Sequence, residues 1–165
     1  FEKQGIDSLI IDVRNNAGGY LEITKQMISM FLSNDEIIYQ IETNAETTQV
    51  YSQTSESRDY PVVVLINGHS ASASEILAAA FKESYGSEVV GVTSFGKGTV
   101  QETKNLQGGG MIKMTTQRWL TPDGNSIETY GVEPTIEVKI DREYNLNPSI
   151  ENDNQFQAAL ELLKK

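Results

Sequence analysis

The stretch "PVVVLINGHSASASEILAAAF", from Pro61 to Phe81, decides the fold class. Its apolar, largely β-branched start predicts a strand that is buried on both faces. Small and polar residues follow, and the stretch ends in an apolar run with helical spacing. A buried strand that leads directly into a helix is typical of α/β proteins with a mainly parallel sheet and flanking helices. We therefore predict an α/β fold for this chain.

The rest of the sequence extends this pattern of strands and helices. "SLIIDVR" predicts a second buried strand, the turn "NNAGG" follows it, and "YLEITKQMISMFLS" predicts a helix. "EIIYQIET" and "EVVGVT" predict further strands, residues 44–60 a polar loop or irregular hairpin, and the sequence around Gly108–Gly110 a hairpin. We divide the chain into a core, residues 1–140, and a linker with a C-terminal amphipathic helix, residues 141–165.

The composition excludes several classes of function. The 165 residues suit one domain, and 13 basic against 23 acidic residues give a net charge of −10, which disfavours a nucleic-acid partner. Cysteine is absent and there is one histidine, so thiol chemistry, disulfides and multi-histidine metal sites are excluded. We expect no metal and no cofactor.

Phe1 is not a natural start, so we expect a fragment or a processed form.

Three loops of this chain are rich in glycine and serine. They are Asn15–Gly19, Gly68–Ser74 and Thr93–Thr99, and each follows a predicted strand. In open parallel sheets, ligands collect beyond the carboxyl ends of the strands. The sequence therefore places a candidate site where these three loops meet.

Ser72 in the second loop has two interpretations. With Glu75 it forms a Ser-x-x-Glu pattern, which is the signature of a helix capping box. Alternatively, Ser72 is a nucleophile at the start of the helix, which requires a base that takes its proton. Capping is the usual role of such a pattern, so the choice depends on whether a base is available.

Two residues are candidates for that base. His69 lies on the same short turn, where nothing orients its imidazole. Lys97 lies between Gly96 and Gly98, with Gln101 four positions further on. A lysine acts as a base only when it is neutral, so its pKa of about 10.4 must fall to about 7–8. A solvent-exposed surface lysine is the ordinary alternative.

The sequence from Gly91 to Lys97 also matches the beginning of a phosphate-binding loop. A predicted strand precedes it, as that motif requires, but Gly98 stands where Ser or Thr should hold magnesium. Nucleotide binding therefore remains an alternative for Lys97, with the acidic net charge against it.

Four blocks of sequence together resemble one family. "LIIDVRNNAGG", "VVVLINGHSASASEILAAAF", "VVGVTSFGKGTVQ" and "TPDGNSIETYGVEPTIEV" occur in the order seen in the catalytic core of carboxyl-terminal processing proteases, the S41 serine peptidases. The resemblance implies a core of the ClpP/crotonase type. It also implies a Ser–Lys dyad of Ser72 and Lys97 assisted by Gln101, and an oxyanion hole formed by the amides of Ala73 and of Gly18 or Gly19.

The resemblance also implies a substrate and a location. It implies an endopeptidase that cuts exported proteins near their C-termini, that acts on polypeptides with accessible apolar tails, and that lies outside the cytoplasm or is anchored to the membrane of a bacterium. It allows a homo-oligomer. The PDZ domain of that family is not found in these 165 residues. A non-catalytic peptide-binding or scaffold domain built on the same core is the alternative function.

Overall fold

The computed structural model describes residues 2–164, which fold into two four-stranded sheets and four α-helices. A 3₁₀ turn precedes β1, and a π-helical turn, Phe81–Tyr85, continues α2. None of the helices within residues 2–164 is both long and apolar enough to cross a membrane. The strands are β1 (Leu9–Asp12), β2 (Ile37–Glu42), β3 (Thr47–Tyr51), β4 (Val62–Ile66), β5 (Glu88–Gly91), β6 (Thr99–Asn105), β7 (Met111–Leu120) and β8 (Ile136–Glu137), and the α-helices are α1 (Leu21–Ser29), α2 (Ala73–Ala80), α3 (Arg142–Leu146) and α4 (Asn154–Leu163).

The first sheet is parallel, with the order β1-β4-β5-β8. Its central strand β4 is buried along its whole length, as the continuous apolar run predicted. Because the strands are parallel, the loops after β1, β4 and β5 leave from the same edge of the sheet. The α/β class and these three strands are therefore confirmed.

The second sheet corrects the prediction of one mainly parallel sheet. It is antiparallel, with the order β3-β2-β7-β6, and it contains half of the strands. The polar turn after β2 folds the chain back, so β2 pairs with β3 on one side and with β7 on the other. Residues 44–60 thus contain one strand of a hairpin, β3, followed by a loop. The predicted strand "EIIYQIET" is β2 and belongs to the second sheet.

The parallel sheet is covered on both faces. On one face, α2 and the apolar side of α1 pack with β2 on the main core, which includes Val64 and Ile66. On the other face, α4 packs its Phe156, Ala159 and Leu162 against Val63, Leu65 and Val90. The helix predicted at the C-terminal end therefore forms a layer of the fold, and the short helix α3 lies in the segment that we predicted to be a linker.

A buried ion pair fixes the beginning of α4 to the end of β1. Arg14 donates to both carboxylate oxygens of Asp153, at 2.9 and 2.7 Å, and to the side-chain carbonyl of Gln155 at 3.0 Å. Asp153 is also the N-cap of α4 and accepts from the Phe156 amide. Burial raises the pKa of Asp153, but the hydrogen bonds from Arg14 and from the Phe156 amide lower it by more, so the pKa lies below its usual range.

This pKa shift predicts a pH-dependent stability. A carboxyl group whose pKa is lower in the folded state stabilises the fold above its unfolded pKa of about 3.9 and loses that contribution as the pH falls further. We expect Asp153→Asn to lower the free energy of unfolding by about 2–4 kcal/mol at pH 7, and this difference to shrink below about pH 4. Denaturant unfolding of both proteins from pH 7 to pH 2 measures it. A difference that stays constant over this range would contradict the role of the ionised carboxylate.

Candidate active site

The loops after β1 and β4 are joined by hydrogen bonds. The hydroxyl of Ser70, which is fully buried, donates to the Val13 carbonyl at 2.8 Å and accepts from the Asn67 amide at 2.9 Å. Asn15 and Asn67 exchange two hydrogen bonds of 3.0 Å. These contacts hold the Asn15–Gly19 turn against the serine loop, although more than fifty residues separate the two in sequence.

Ser72 has a strained backbone at the start of α2. Its φ of 59° and ψ of −119° are unusual for a residue with a side chain, and such strain of about 1–3 kcal/mol is found mostly at functional sites. Ser70 and Ser74 are buried, whereas Ser72 is partly exposed. Of the three serines, Ser72 is therefore the one that solvent can reach.

Ser72 and Glu75 form the predicted capping box, in which the Ser72 side chain faces the Glu75 amide and the Glu75 carboxylate faces the Ser72 amide. Glu75 Oε2 accepts from the Ser72 amide at 2.7 Å. The Glu75 amide also donates to the Ser72 backbone carbonyl at 2.9 Å, so the hydroxyl is not the only acceptor for that amide. The carboxylate is fully buried within α2.

The same carboxylate holds the segment that carries Lys97. Glu75 Oε2 also accepts from the Lys97 amide at 2.9 Å, and Oε1 accepts from the Gly96 amide and the Ser94 hydroxyl, both at 2.6 Å. The amides of Ser72 and Lys97 thus share one oxygen atom and lie within two hydrogen-bond lengths of each other. The Ser-x-x-Glu pattern predicts only the cap, whereas the position of Glu75 at the start of the apolar run "EILAAAF" is the sequence signal of its buried polar role.

The glycines beside Lys97 allow this close packing. A Cβ on Gly96 would lie 2.9 Å from the carbonyl carbon of Thr129, and a Cβ on Gly98 would lie 2.4 Å from the Glu128 amide nitrogen. The Gly98 amide also donates to the Glu128 carboxylate at 2.7 Å. The backbone of Lys97 is therefore fixed on both sides by close contacts with residues 128–129.

The phosphate-loop interpretation of this segment is wrong. The segment leads into strand β6 and not into a helix, so it has no helix N-terminus to bind phosphate. The amides of Gly96 and Lys97, which would face a phosphate, are occupied by the Glu75 carboxylate.

In the predicted dyad, the backbone amides are held by hydrogen bonds more firmly than the side chains are. Lys97 is exposed, as in the surface-lysine alternative, because neighbouring chain covers the backbone on each side but not the side chain. Gln101 is exposed on β6, past an irregularity in the strand pairing at Val100, and within residues 2–164 it makes no hydrogen bond to Lys97. The imidazole of His69 is likewise exposed, and only the backbone amide of His69 is held, by Asn67.

The predicted oxyanion residues lie together. A Cβ on Gly18 would lie 2.9 Å from the Ala73 amide nitrogen and 2.6 Å from the Ala71 carbonyl oxygen, so only glycine allows this approach. The Gly18 amide donates to the Asn16 side chain at 2.9 Å. For the amides of Gly19 and Ala73, no acceptor is found in the described part of the chain.

A cleft of about 340 Å³ opens beside these amides. Its apolar wall is formed by side chains of β1, α1 and α2, and Gly18, Gly19 and Ala73 border it. A larger cavity, about 430 Å³, lies at the opposite end of the sheet, where β4 and β5 begin. Ligands of parallel sheets bind at the carboxyl ends of the strands, so the smaller cleft is the candidate site. The apolar wall consists of Ile11, Val13, Ile23, Met27 and Leu77.

Comparisons with known proteins agree on one family. The sequence model of peptidase family S41 matches residues 1–138. The carboxy-terminal processing protease CtpB of Bacillus subtilis is 47% identical over 139 residues, which cover 84% of this chain and 29% of that protein. A probable CtpA-like serine protease of Staphylococcus epidermidis is 34% identical over 158 residues, which cover 94% of this chain and 32% of that protein. The chain thus spans about a third of the length of these curated relatives.

Solved structures show the same similarity. A photosystem II D1 C-terminal processing protease superposes with a TM-score of 0.76 at 34% identity, covering 84% of this chain and 36% of that one. A structure described as a putative peptidase from Parabacteroides merdae superposes with a TM-score of 0.79 at 23% identity, covering 98% and 53%, and it supports the fold alone.

The contacts of Glu75 predict the effect of removing its charge. In Glu75→Gln, the side-chain NH₂ group would face donors that now point at an oxygen, so hydrogen bonds in a buried site are lost. We expect the free energy of unfolding to fall by about 2–4 kcal/mol. In the control Glu128→Gln, the remaining oxygen can still accept from Gly98, and we expect a loss of about 1 kcal/mol or less. Urea unfolding measures both, and equal losses would contradict the central role of Glu75.

Proposed function

The chain belongs to peptidase family S41, and from this premise we propose that it is the catalytic part of a serine endopeptidase that cuts exported proteins near their C-termini. The reaction uses a dyad of Ser72 and Lys97. The observation that carries the proposal is the shared oxygen of Glu75, which holds the backbones of both residues side by side.

In the first step, Ser72 Oγ attacks the carbonyl carbon of the scissile peptide bond while the neutral amine of Lys97 takes the hydroxyl proton. The resulting ammonium group then gives this proton to the leaving amine nitrogen, and an acyl ester remains on Ser72. In the second step, water attacks the ester, Lys97 takes a proton from it, and the proton returns to Ser72 Oγ as the acid leaves. No metal or cofactor takes part.

The carbonyl oxygen becomes negative in both steps. The Ala73 amide lies at the N-terminus of α2, where unpaired amides and the helix dipole favour an anion. The amide of Gly19 is the partner we assign, because the Gly18 amide is already bound to Asn16. Gly18 then has the different role of allowing the turn to approach Ala71 and Ala73.

The neutral form of Lys97 requires that water be removed from its amine. The side chain is exposed in the free chain, so the bound polypeptide substrate supplies this cover in our proposal. Gln101 then accepts a hydrogen bond from the amine through its side-chain carbonyl, which holds the lysine without adding a charge.

The apolar cleft gives the site its specificity. It lies directly beside the amides of Gly19 and Ala73, so it receives the side chain of the residue whose carbonyl is attacked. Its wall of aliphatic side chains fits an apolar residue of small or medium size. Polypeptides with accessible apolar tails are therefore the proposed substrates.

Three further parts of the proposal rest on family membership. The core is of the ClpP/crotonase type, with residues 1–140 as its main part and residues 141–165 as a linker and helix. The protein acts outside the cytoplasm of a bacterium or at its membrane, and it can form a homo-oligomer. The net charge of −10 argues separately against a nucleic-acid partner.

Substitutions at Ser72 and Lys97 test the dyad. In the full-length protein, we expect Ser72→Ala to abolish cleavage of a fluorogenic peptide with a free apolar tail. Lys97→Arg keeps the positive charge, but arginine is not deprotonated in proteins, so we expect kcat to fall by about 10²–10⁴-fold. Steady-state kinetics, with circular dichroism to verify folding, measure both effects.

Matched variants serve as controls. We expect cleavage to be retained in Ser74→Ala on the same helix, in Lys104→Arg on the exposed strand β6, and in His69→Ala. Activity that survives in Lys97→Arg but disappears in His69→Ala would assign the base to histidine. A wild-type protein that binds the peptide without cutting it would support the peptide-binding alternative.

Two methionines of α1 and its C-terminal end test the cleft. Met27 lines the cleft, whereas Met30, one turn further on, is similarly exposed but does not line it. We expect Met27→Lys to lower kcat/KM by about tenfold or more for a peptide with valine at the attacked carbonyl, because the ammonium group stands in the apolar wall. The Met30→Lys variant should behave as the wild type. Equal effects of the two substitutions would show that the cleft does not bind the substrate side chain.

A further inference from the structure

The guanidinium group of Arg14 is saturated with hydrogen bonds. Nε and Nη2 donate to Asp12, Nη1 and Nη2 donate to Asp153, and Nη1 donates to Gln155. An arginine has five N–H donors, and here each has an acceptor. The side chain is only 11% exposed and that of Asp153 only 6%. Arg14 is thus held in one orientation by groups from β1 and from the beginning of α4.

Asp153 and Gln155 are themselves fixed to the parallel sheet. The side-chain amide of Gln155 donates to the Val138 carbonyl at 2.6 Å, and that of Asn154 donates to the Lys139 carbonyl at 2.8 Å. The start of α4 is therefore tied to the chain that leaves β8. Since the family model ends at residue 138, the acceptors on α4 lie outside the region that it matches.

Arg14 is the residue that leads from β1 into the oxyanion turn. Asn15, which follows it, has a positive φ of 57°, and the turn then reaches the Ala71 amide through the Asn16 carbonyl at 3.0 Å. A glycine turn of this kind has little internal packing, so its direction depends on the anchors at its two ends. Asn67 and Ser70 fix the side towards β4, and the Arg14 side chain fixes the side towards β1.

We infer that Asp153 is a positioning residue of the active site, which acts through Arg14 to aim the amide of Gly19 at the oxyanion. This inference rests on the proposed function. The C-terminal helix α4 then contributes to catalysis, because the first turn of α4 supplies the groups that orient Arg14. Asp153 does not touch the substrate, and its removal should affect the stabilisation of the transition state more than substrate binding.

The experiment compares two probes of the full-length protein. A tetra-alanine peptide aldehyde adds to Ser72 and places its oxygen at the oxyanion amides, whereas the corresponding peptide alcohol binds without this adduct. We expect Asp153→Asn to weaken inhibition by the aldehyde by about tenfold or more and inhibition by the alcohol by less than about twofold. The same variant should lower kcat while KM stays the same.

The control is Ala159→Gly, which weakens α4 at a buried position in its middle and does not contact Arg14. It should lower Tm but leave the ratio of the two inhibition constants unchanged. If Asp153→Asn does not remain folded, Gln155→Met, which removes one acceptor from Arg14, should show a smaller change in the same direction. Equal losses for aldehyde and alcohol, or a ratio like that of the control, would overturn the inference. A wild-type protein that does not bind the aldehyde more tightly than the alcohol would contradict the proposed function itself.

Discussion

The structure of the site depends on one buried carboxylate. Glu75 accepts hydrogen bonds from two segments that are distant in sequence, the start of α2 and the loop before β6. Its partners are three backbone amides and one hydroxyl, which are all uncharged groups. Burying a carboxylate is costly unless hydrogen bonds replace its water, so separating the two segments would leave buried oxygens without partners. The relative position of Ser72 and Lys97 follows from this constraint.

Two further contacts determine the rest of the site. The hydroxyl of Ser70 bridges the ends of β1 and β4, and the absence of a side chain at Gly18 lets the turn after β1 approach α2. The three serines of "SASAS" thus differ: Ser70 joins the two loops, Ser72 has a strained backbone and is partly exposed, and Ser74 is buried in the first turn of α2. The cleft is the space that remains between this arrangement and α1.

The sequence predicted the local features well and the contacts between distant residues poorly. Continuous apolar runs identified β1, β4 and β5, and helical spacing identified α1 and α4, because these signals are contained in the segments themselves. The antiparallel sheet was not separated from the parallel one, since the partner of β2 depends on a turn and on β7, nearly eighty residues away. The Ser-x-x-Glu pattern showed the local contact of Glu75 but not its contacts with Ser94, Gly96 and Lys97. The ion pair of Arg14 and Asp153 joins residues 139 positions apart, which no local pattern could reveal. The sequence left open whether Lys97 is buried or exposed, since its cover also depends on distant residues.

In the proposed mechanism, Ser72, Lys97 and the amides of Ala73 and Gly19 surround one reacting carbonyl group. The most direct measurement is a crystal structure of the full-length protein with a peptide aldehyde bound. Our account predicts a covalent bond from Ser72 Oγ to the aldehyde carbon, the oxygen about 2.7–3.1 Å from both amides, and the Lys97 amine within hydrogen-bond reach of Oγ. An adduct on another residue, or an oxygen that points away from Ala73 and Gly19, would contradict it.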